Sequence, residues 1–228
     1  MSGIVSRLVS IPTDDIELVG DLSLPSTPCG LVLLVDERGA GRFELGHQRL
    51  AELWASRGLA TLAVDLETPD EEVADRSDAT LRFDPEFLAH RLHAATDWVL
   101  AQPELMELPL GYFGEGAAAA GALLAASRRA GAIAAVVSCG GRPDLVAATL
   151  PRLHAPTLFV VGANDRHVLA LTASAAAHTG CLHRIQVIDH ASHRFVEPGT
   201  LEAVGVAAAD WFVPHFAPIR DSLREAWS

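Results

Sequence analysis

Short runs rich in leucine and β-branched residues recur along this chain at Leu31–Val35, Leu59–Val64, Leu110–Phe113, Ile133–Val137, Thr157–Val161 and Arg184–Ile188. Strands of this kind, with little polar alternation, are buried on both faces, as in a parallel sheet covered by helices. Helix-length segments fall between the runs, at His47–Ser56, Pro85–Ala101, Gly116–Ala130 and Val168–His178, with Leu201–Phe212 closing the series. Two strand-like segments come first, Ile4–Ile11 and Ile16–Leu24, with the turn residues Pro12, Thr13, Asp14 and Asp15 between them. They read as an antiparallel hairpin. The expectation is an α/β fold with an eight-stranded, mostly parallel sheet and helices on both faces. No linker, repeat or low-complexity tract divides the chain, so residues 1–228 are expected to form a single domain. The one long connection, Glu67–Phe83, is rich in Asp, Glu and Thr and reads as a surface loop with a helical turn.

The chain has 228 residues, half of them apolar and 20% charged, which is ordinary for a globular protein with a two-sided core. A net charge of −12 argues against a nucleic-acid partner, because phosphate binding needs clustered basic residues. The acidity is spread along the chain and reads as solubility. Cys29, Cys139 and Cys181 are odd in number and form no C-x-x-C pair, which fits a reducing compartment rather than a disulfide framework. Met1–Ile11 has no long apolar core, so no secretory signal is expected, and the alanine-rich stretch Gly116–Ala126 is too short to span a bilayer. The expected setting is cytoplasmic, without a membrane partner. The histidines lack ligand spacing, there is no P-loop, and Gly39, Gly41 and Gly46 make no dinucleotide fingerprint. Neither metal nor cofactor is expected, and the expected partner is a small-molecule substrate. The sequence does not specify an oligomeric state.

In parallel α/β sheets, ligands bind outside the carboxyl ends of the strands, so the residues after each run carry the chemistry. Leu108–Leu124 reads as strand, tight turn and alanine-rich helix. That is the setting of a nucleophile elbow, where small residues let strand and helix approach and backbone N–H groups face a bound anion. Its Gly111-Tyr-Phe-Gly114 stretch and alanine-rich continuation resemble the α/β-hydrolase superfamily, in its dienelactone-hydrolase-like branch. The resemblance is nearest to small bacterial hydrolases whose genes are linked to phosphoribosyltransferases. It extends through Ala60–Glu72, Val137–Leu145, Ala155–Gly162 and Phe195–Gly199, and so covers most of the chain.

The resemblance implies an α/β-hydrolase fold and a triad in the chain order nucleophile, acid, base. Matched without gaps, the nucleophile position falls on Gly116, which has no side chain to form an acyl-enzyme. A slide of one residue would put Glu115 there but breaks the Gly-Tyr-Phe-Gly register; otherwise Glu115 is a loop acid. The other two members match: Asp165 as the orienting acid and His193 as the base. His154, His167 and His190 fall off the matching positions. The first strand-end loop reads Val35-Asp-Glu-Arg-Gly-Ala-Gly41, and its carboxylates would oppose a developing oxyanion. Glu37 is similar in place to a glutamate that contacts the nucleophile in dienelactone hydrolases, with Asp36 a weaker match. Equally, Glu37 reads as a loop acid paired with Arg38 or Arg42. Cys139 stands where near relatives have arginine, and reads either as inert packing or as a displaced nucleophile. Arg142 reads as an anion-binding group or as a partner of Asp144.

Three functions follow. The first is an enzyme without a covalent step, with His193 as general base oriented by Asp165 and with Glu37 or Glu115 as an acid, acting in proton transfer, elimination, isomerisation or cyclisation. The second is an esterase or lactonase using activated water or a displaced nucleophile, Cys139 or Glu115. The third is a non-catalytic ligand-binding descendant. The retained Asp165 and His193 place the third last, and the first is the preferred reading.

Overall fold

The computed structural model of the chain describes residues 3–36 and 45–226. Its strands are β1 (Ile4–Thr13), β2 (Ile16–Pro25), β3 (Gly30–Val35), β4 (Leu59–Val64), β5 (Leu110–Glu115), β6 (Ile133–Cys139), β7 (Thr157–Gly162) and β8 (His183–Ile188). The helices are α1 (Leu45–Ser56), α2 (Pro69–Asp78), α3 (Pro85–Leu100), α4 (Ala118–Arg128), α5 (Arg166–Ala176) and α6 (Thr200–Ala226). The strands form one eight-stranded sheet in the order β1-β2-β4-β3-β5-β6-β7-β8. β2 pairs antiparallel with both its neighbours, and every other pairing is parallel. This is the α/β-hydrolase fold.

Side-chain alternation along the strands separates the two cores. Leu31, Leu33 and Val35 point into one apolar layer with residues of α3, α4 and α5. Val32 and Leu34 point into the other, against α1 and α6. All six residues of β3 are buried, which is why its sequence shows no alternation. In the second layer Trp54 meets Phe113 edge-on at 5.1 Å between ring centroids, and Phe212 stacks on Phe216 at 5.6 Å. Each such pair adds about 0.5–1.5 kcal/mol beyond the area it buries.

Three expectations need correction. Pro12 and Thr13 belong to β1 rather than to the turn, which is the two residues Asp14 and Asp15. β1 is an edge strand, where a missing N–H removes no bond from the sheet. α6 does not stop at Phe212 but continues past Pro214, because Phe212 and Phe216 are both fully buried one turn apart. The third concerns the acidic segment after β4, which holds a ten-residue helix, α2. Thr68 accepts from the Glu71 N–H at 3.2 Å and the Thr68 N–H donates to Glu71 at 2.8 Å, a reciprocal capping box with Pro69 in the first turn. The signal Thr68-Pro-Asp-Glu71 stood in the sequence, hidden by the acidity around it.

The helix carries its own charges inward. Asp75 is 1% exposed and bonds to Arg82 and to the Leu81 N–H. Glu67, 7% exposed, is pushed up to about 7 by burial and then by the neighbouring Asp75, with Arg82 opposing. The folded chain therefore holds a proton on Glu67 that the unfolded chain releases nearer 4.5, and stability falls as pH rises from about 4.5 to about 7. Thermal melts of Glu67→Gln should match the native protein at acid pH and exceed it at pH about 8, by about 1–3 kcal/mol.

Candidate active site

β5 delivers the elbow. A Cβ added at Gly114 would stand 2.6 Å from the Ala119 Cα, so only glycine lets α4 start this close to the strand. Gly116 follows with φ +60°, a left-handed turn that a non-glycine residue adopts only under strain. Its N–H donates to the Cys139 carbonyl at 3.0 Å, which ties the turn to the end of β6. α4 begins at Ala118, two residues later than the apolar pattern suggests, because Gly116 and Ala117 are spent on the turn.

The loops after β7 and β8 supply an Asp–His pair. Asp165 follows β7 as the N-cap of α5, and its two oxygens are divided between two tasks. Oδ1 accepts from the Val168 N–H at 3.1 Å, and Oδ2 accepts from His193 Nδ1 at 3.0 Å. An ionised carboxylate only accepts, so the proton sits on Nδ1 and the lone pair on Nε2. The His193 side chain is 44% exposed. The loop carrying His193 is pinned by Asn164, whose N–H donates to the Ala191 carbonyl and whose side-chain amide donates to the His190 carbonyl, both at 3.0 Å. Glu197 accepts from the Ser192 N–H at 3.0 Å, and Phe195 is buried beneath. The loop lies over the end of β6: a Cβ placed on Gly140 would be 3.7 Å from His193 Nδ1. Gly116 and His193 thus flank the same strand end.

On the other side of the elbow stands a group the sequence did not reveal. β3 and β5 run parallel with Val35 opposite Gly114, so Asp36 and Glu115 leave adjacent strand ends together. Between them comes His47, from the first turn of α1 and 4% exposed. Its Nε2 lies 3.2 Å from Glu115 Oε2 and 3.9 Å from Asp36 Oδ2. Asp36 is itself 7% exposed. No spacing rule marks His47; the available signal was its place in the first turn of the helix that follows the β3 loop. Among the described residues, no group of three or more His, Cys, Asp or Glu side chains could hold a metal ion.

Glu115 and His47 line a cavity of about 820 Å³. Arg194–Gly199, which follow His193, also line it, and Leu50, Leu53 and Leu201 supply apolar surface; His193, Asp165 and Gly116 are not among its lining residues. The remaining sequence candidates divide. Glu37 lies outside the described residues. Arg142 makes a two-pronged pair with Asp144, at 2.8 Å from Nε and 2.7 Å from the terminal nitrogen, the pairing alternative. Cys139 is 1% exposed in the apolar layer with Phe113 and Val137. Burial, and then the Glu115 charge, hold its thiol well above the usual thiol range, and a thiol that does not ionise is a poor nucleophile. His154, His167 and His190 are exposed.

No family model matches the chain. Among solved structures, it is similar to a dienelactone hydrolase from Anabaena variabilis, with 40% identity and a TM-score of 0.88 over 92% of this chain and 97% of that one. The chain belongs to the dienelactone hydrolase family of α/β-hydrolases. A dienelactone-hydrolase-like promiscuous phosphotriesterase from metagenomic libraries, at 19% identity and a TM-score of 0.75, shares the fold. A Mycobacterium tuberculosis protein with a provisional phosphoribosyl transferase name is 41% identical over 207 residues, 91% of this chain and 46% of that protein. The chain therefore spans about half the length of the curated relatives it matches. No described helix of this dienelactone hydrolase family member is long and apolar enough to cross a membrane.

Proposed function

We propose that this family member is an enzyme without a covalent intermediate, in which His193, oriented by Asp165, removes a proton from a small organic substrate. The observation that carries the reading is the 3.0 Å bond from His193 Nδ1 to Asp165, preserved beside an elbow whose tip is glycine. An imidazole with its lone pair on Nε2 can act as a general base, and general-base catalysis needs no nucleophile. Glu115 lines the cavity, which Arg194 next to His193 also borders, and in this reading it enters the reaction protonated and returns that proton to the substrate. One proton taken and one given is the balance of an isomerisation, an elimination or a cyclisation. The residues 1–228 act as one α/β-hydrolase-like domain in this reading. A second reading draws on the family itself: His193 activates a water that opens an ester or lactone directly.

The ring-opening of 5-nitrobenzisoxazole begins with removal of a carbon-bound proton and reads a general base without requiring the natural substrate. The native protein should accelerate it over buffer, and His193→Ala should lower that rate by about 10²-fold or more. Equal rates for native and variant would overturn the base assignment and favour a binding role.

A further inference from the structure

The larger cavity is not the only one His47 touches. A second pocket of about 330 Å³ lies between α1 and strands β1, β2 and β4, and His47 lines it together with Gln48, Ala51, Thr61 and Asp21. His47 is the residue through which this pocket meets Glu115: it faces the pocket and also bonds to Glu115 at 3.2 Å in the larger cavity. A buried imidazole bracketed by Asp36 and Glu115, with solvent-accessible space on one side and a proposed reaction space on the other, is built for passing protons rather than for packing. A structural role alone would be met by any side chain that fills the gap and donates one bond.

We infer that His47 is a proton relay acting through Glu115, which resupplies the proton Glu115 gives to the substrate and draws its own from solvent in the smaller pocket. This rests on Glu115 being the donor proposed above. The steps balance without any co-reactant. The Glu115 carboxyl passes its proton to the leaving atom of the substrate and becomes a carboxylate. The imidazolium of His47 then passes a proton from Nε2 across the 3.2 Å contact, restoring the carboxyl, and the neutral imidazole takes a proton from water. His193 meanwhile releases the substrate's proton to bulk solvent through its exposed face. Asp36, just after β3, and Glu115 of β5 are the carboxylates within 4 Å of His47, while Asp21, Glu52, Arg49 and Arg194 line the pockets it borders.

Two measurements test the relay. The first compares 5-nitrobenzisoxazole with unsubstituted 1,2-benzisoxazole, whose leaving phenolate lacks the nitro group's stabilisation and depends more on a proton donor. His47→Gln, which still donates a bond to Glu115 but cannot carry a proton, should lower turnover of the unsubstituted compound about tenfold or more and that of the nitro compound less than about twofold. Added imidazole should restore the loss in His47→Ala. Equal losses for both compounds, or no rescue, would overturn the relay. If instead His193→Ala leaves both rates unchanged while His47→Gln also does, it is the base assignment that has failed. The second measurement needs no turnover. Trp54 Nε1–H is fully buried and bonded to the Gly205 carbonyl at 2.9 Å, so it marks the exchange rate of a closed site. In the native protein, the His47 ring proton should exchange with water at least about tenfold faster than that of Trp54, as read by nuclear magnetic resonance. Exchange as slow as that of Trp54 would contradict a path to solvent.

Discussion

Gly116→Ser should turn a protein inert to serine-directed fluorophosphonates into one that is labelled at residue 116. The elbow already holds that position at φ +60°, with its N–H fixed to the Cys139 carbonyl and His193 on the loop across the end of β6. A hydroxyl placed there would be presented to a base whose orientation Asp165 has set, which is the activation a serine nucleophile needs. The change runs from no labelling to stoichiometric labelling, followed by intact mass. It should also cost about 1–3 kcal/mol of stability, the usual strain of a non-glycine residue in a left-handed turn. A Gly116→Ser variant that folds but stays unlabelled would mean that His193 does not reach the elbow tip.

Asp165→Asn should give a loss as large as that of His193→Ala. Asparagine can still cap α5 through its carbonyl oxygen, so Val168 keeps its partner and the fold should melt within about 1 kcal/mol of the native protein. Its amide, turned toward Nδ1, donates where the carboxylate accepted. The imidazole then places its proton on Nε2, and the outward nitrogen is no longer a base. Turnover of 5-nitrobenzisoxazole should fall about 10²–10⁴-fold, with binding of the compound little changed. A loss confined to KM would assign Asp165 to substrate binding instead. Circular dichroism on the same sample separates either outcome from unfolding.

The sheet was legible because burial on both faces removes alternation, and β3, β4 and β7 are buried throughout their length. The Asp165 and His193 positions were legible because each follows a strand end with matching flanks. α2 was missed since a helix made of Asp and Glu has no apolar stripe to read, and its capping box was the only local signal. His47 was missed for a different reason. Its neighbours Asp36 and Glu115 come from strands 79 positions apart in sequence (115 − 36), and only the β3–β5 pairing joins them. Cys139 could be read two ways until its burial was known, because a thiol after a strand is reactive or inert according to solvent and charge, not sequence.

Chemistry without a covalent intermediate can be tested directly on this chain. All 17 of its basic residues counted as Lys and Arg are arginine, so no lysine side chain competes for acyl groups. The native protein, mixed with p-nitrophenyl acetate, is quenched at intervals from milliseconds to minutes, and its intact mass and nitrophenol release are followed together. The protein should remain unmodified at 24.2 kDa at every time, with no burst of nitrophenol. A burst equal to the protein concentration, with one acetyl group mapped to Cys139 or Glu115, would contradict it.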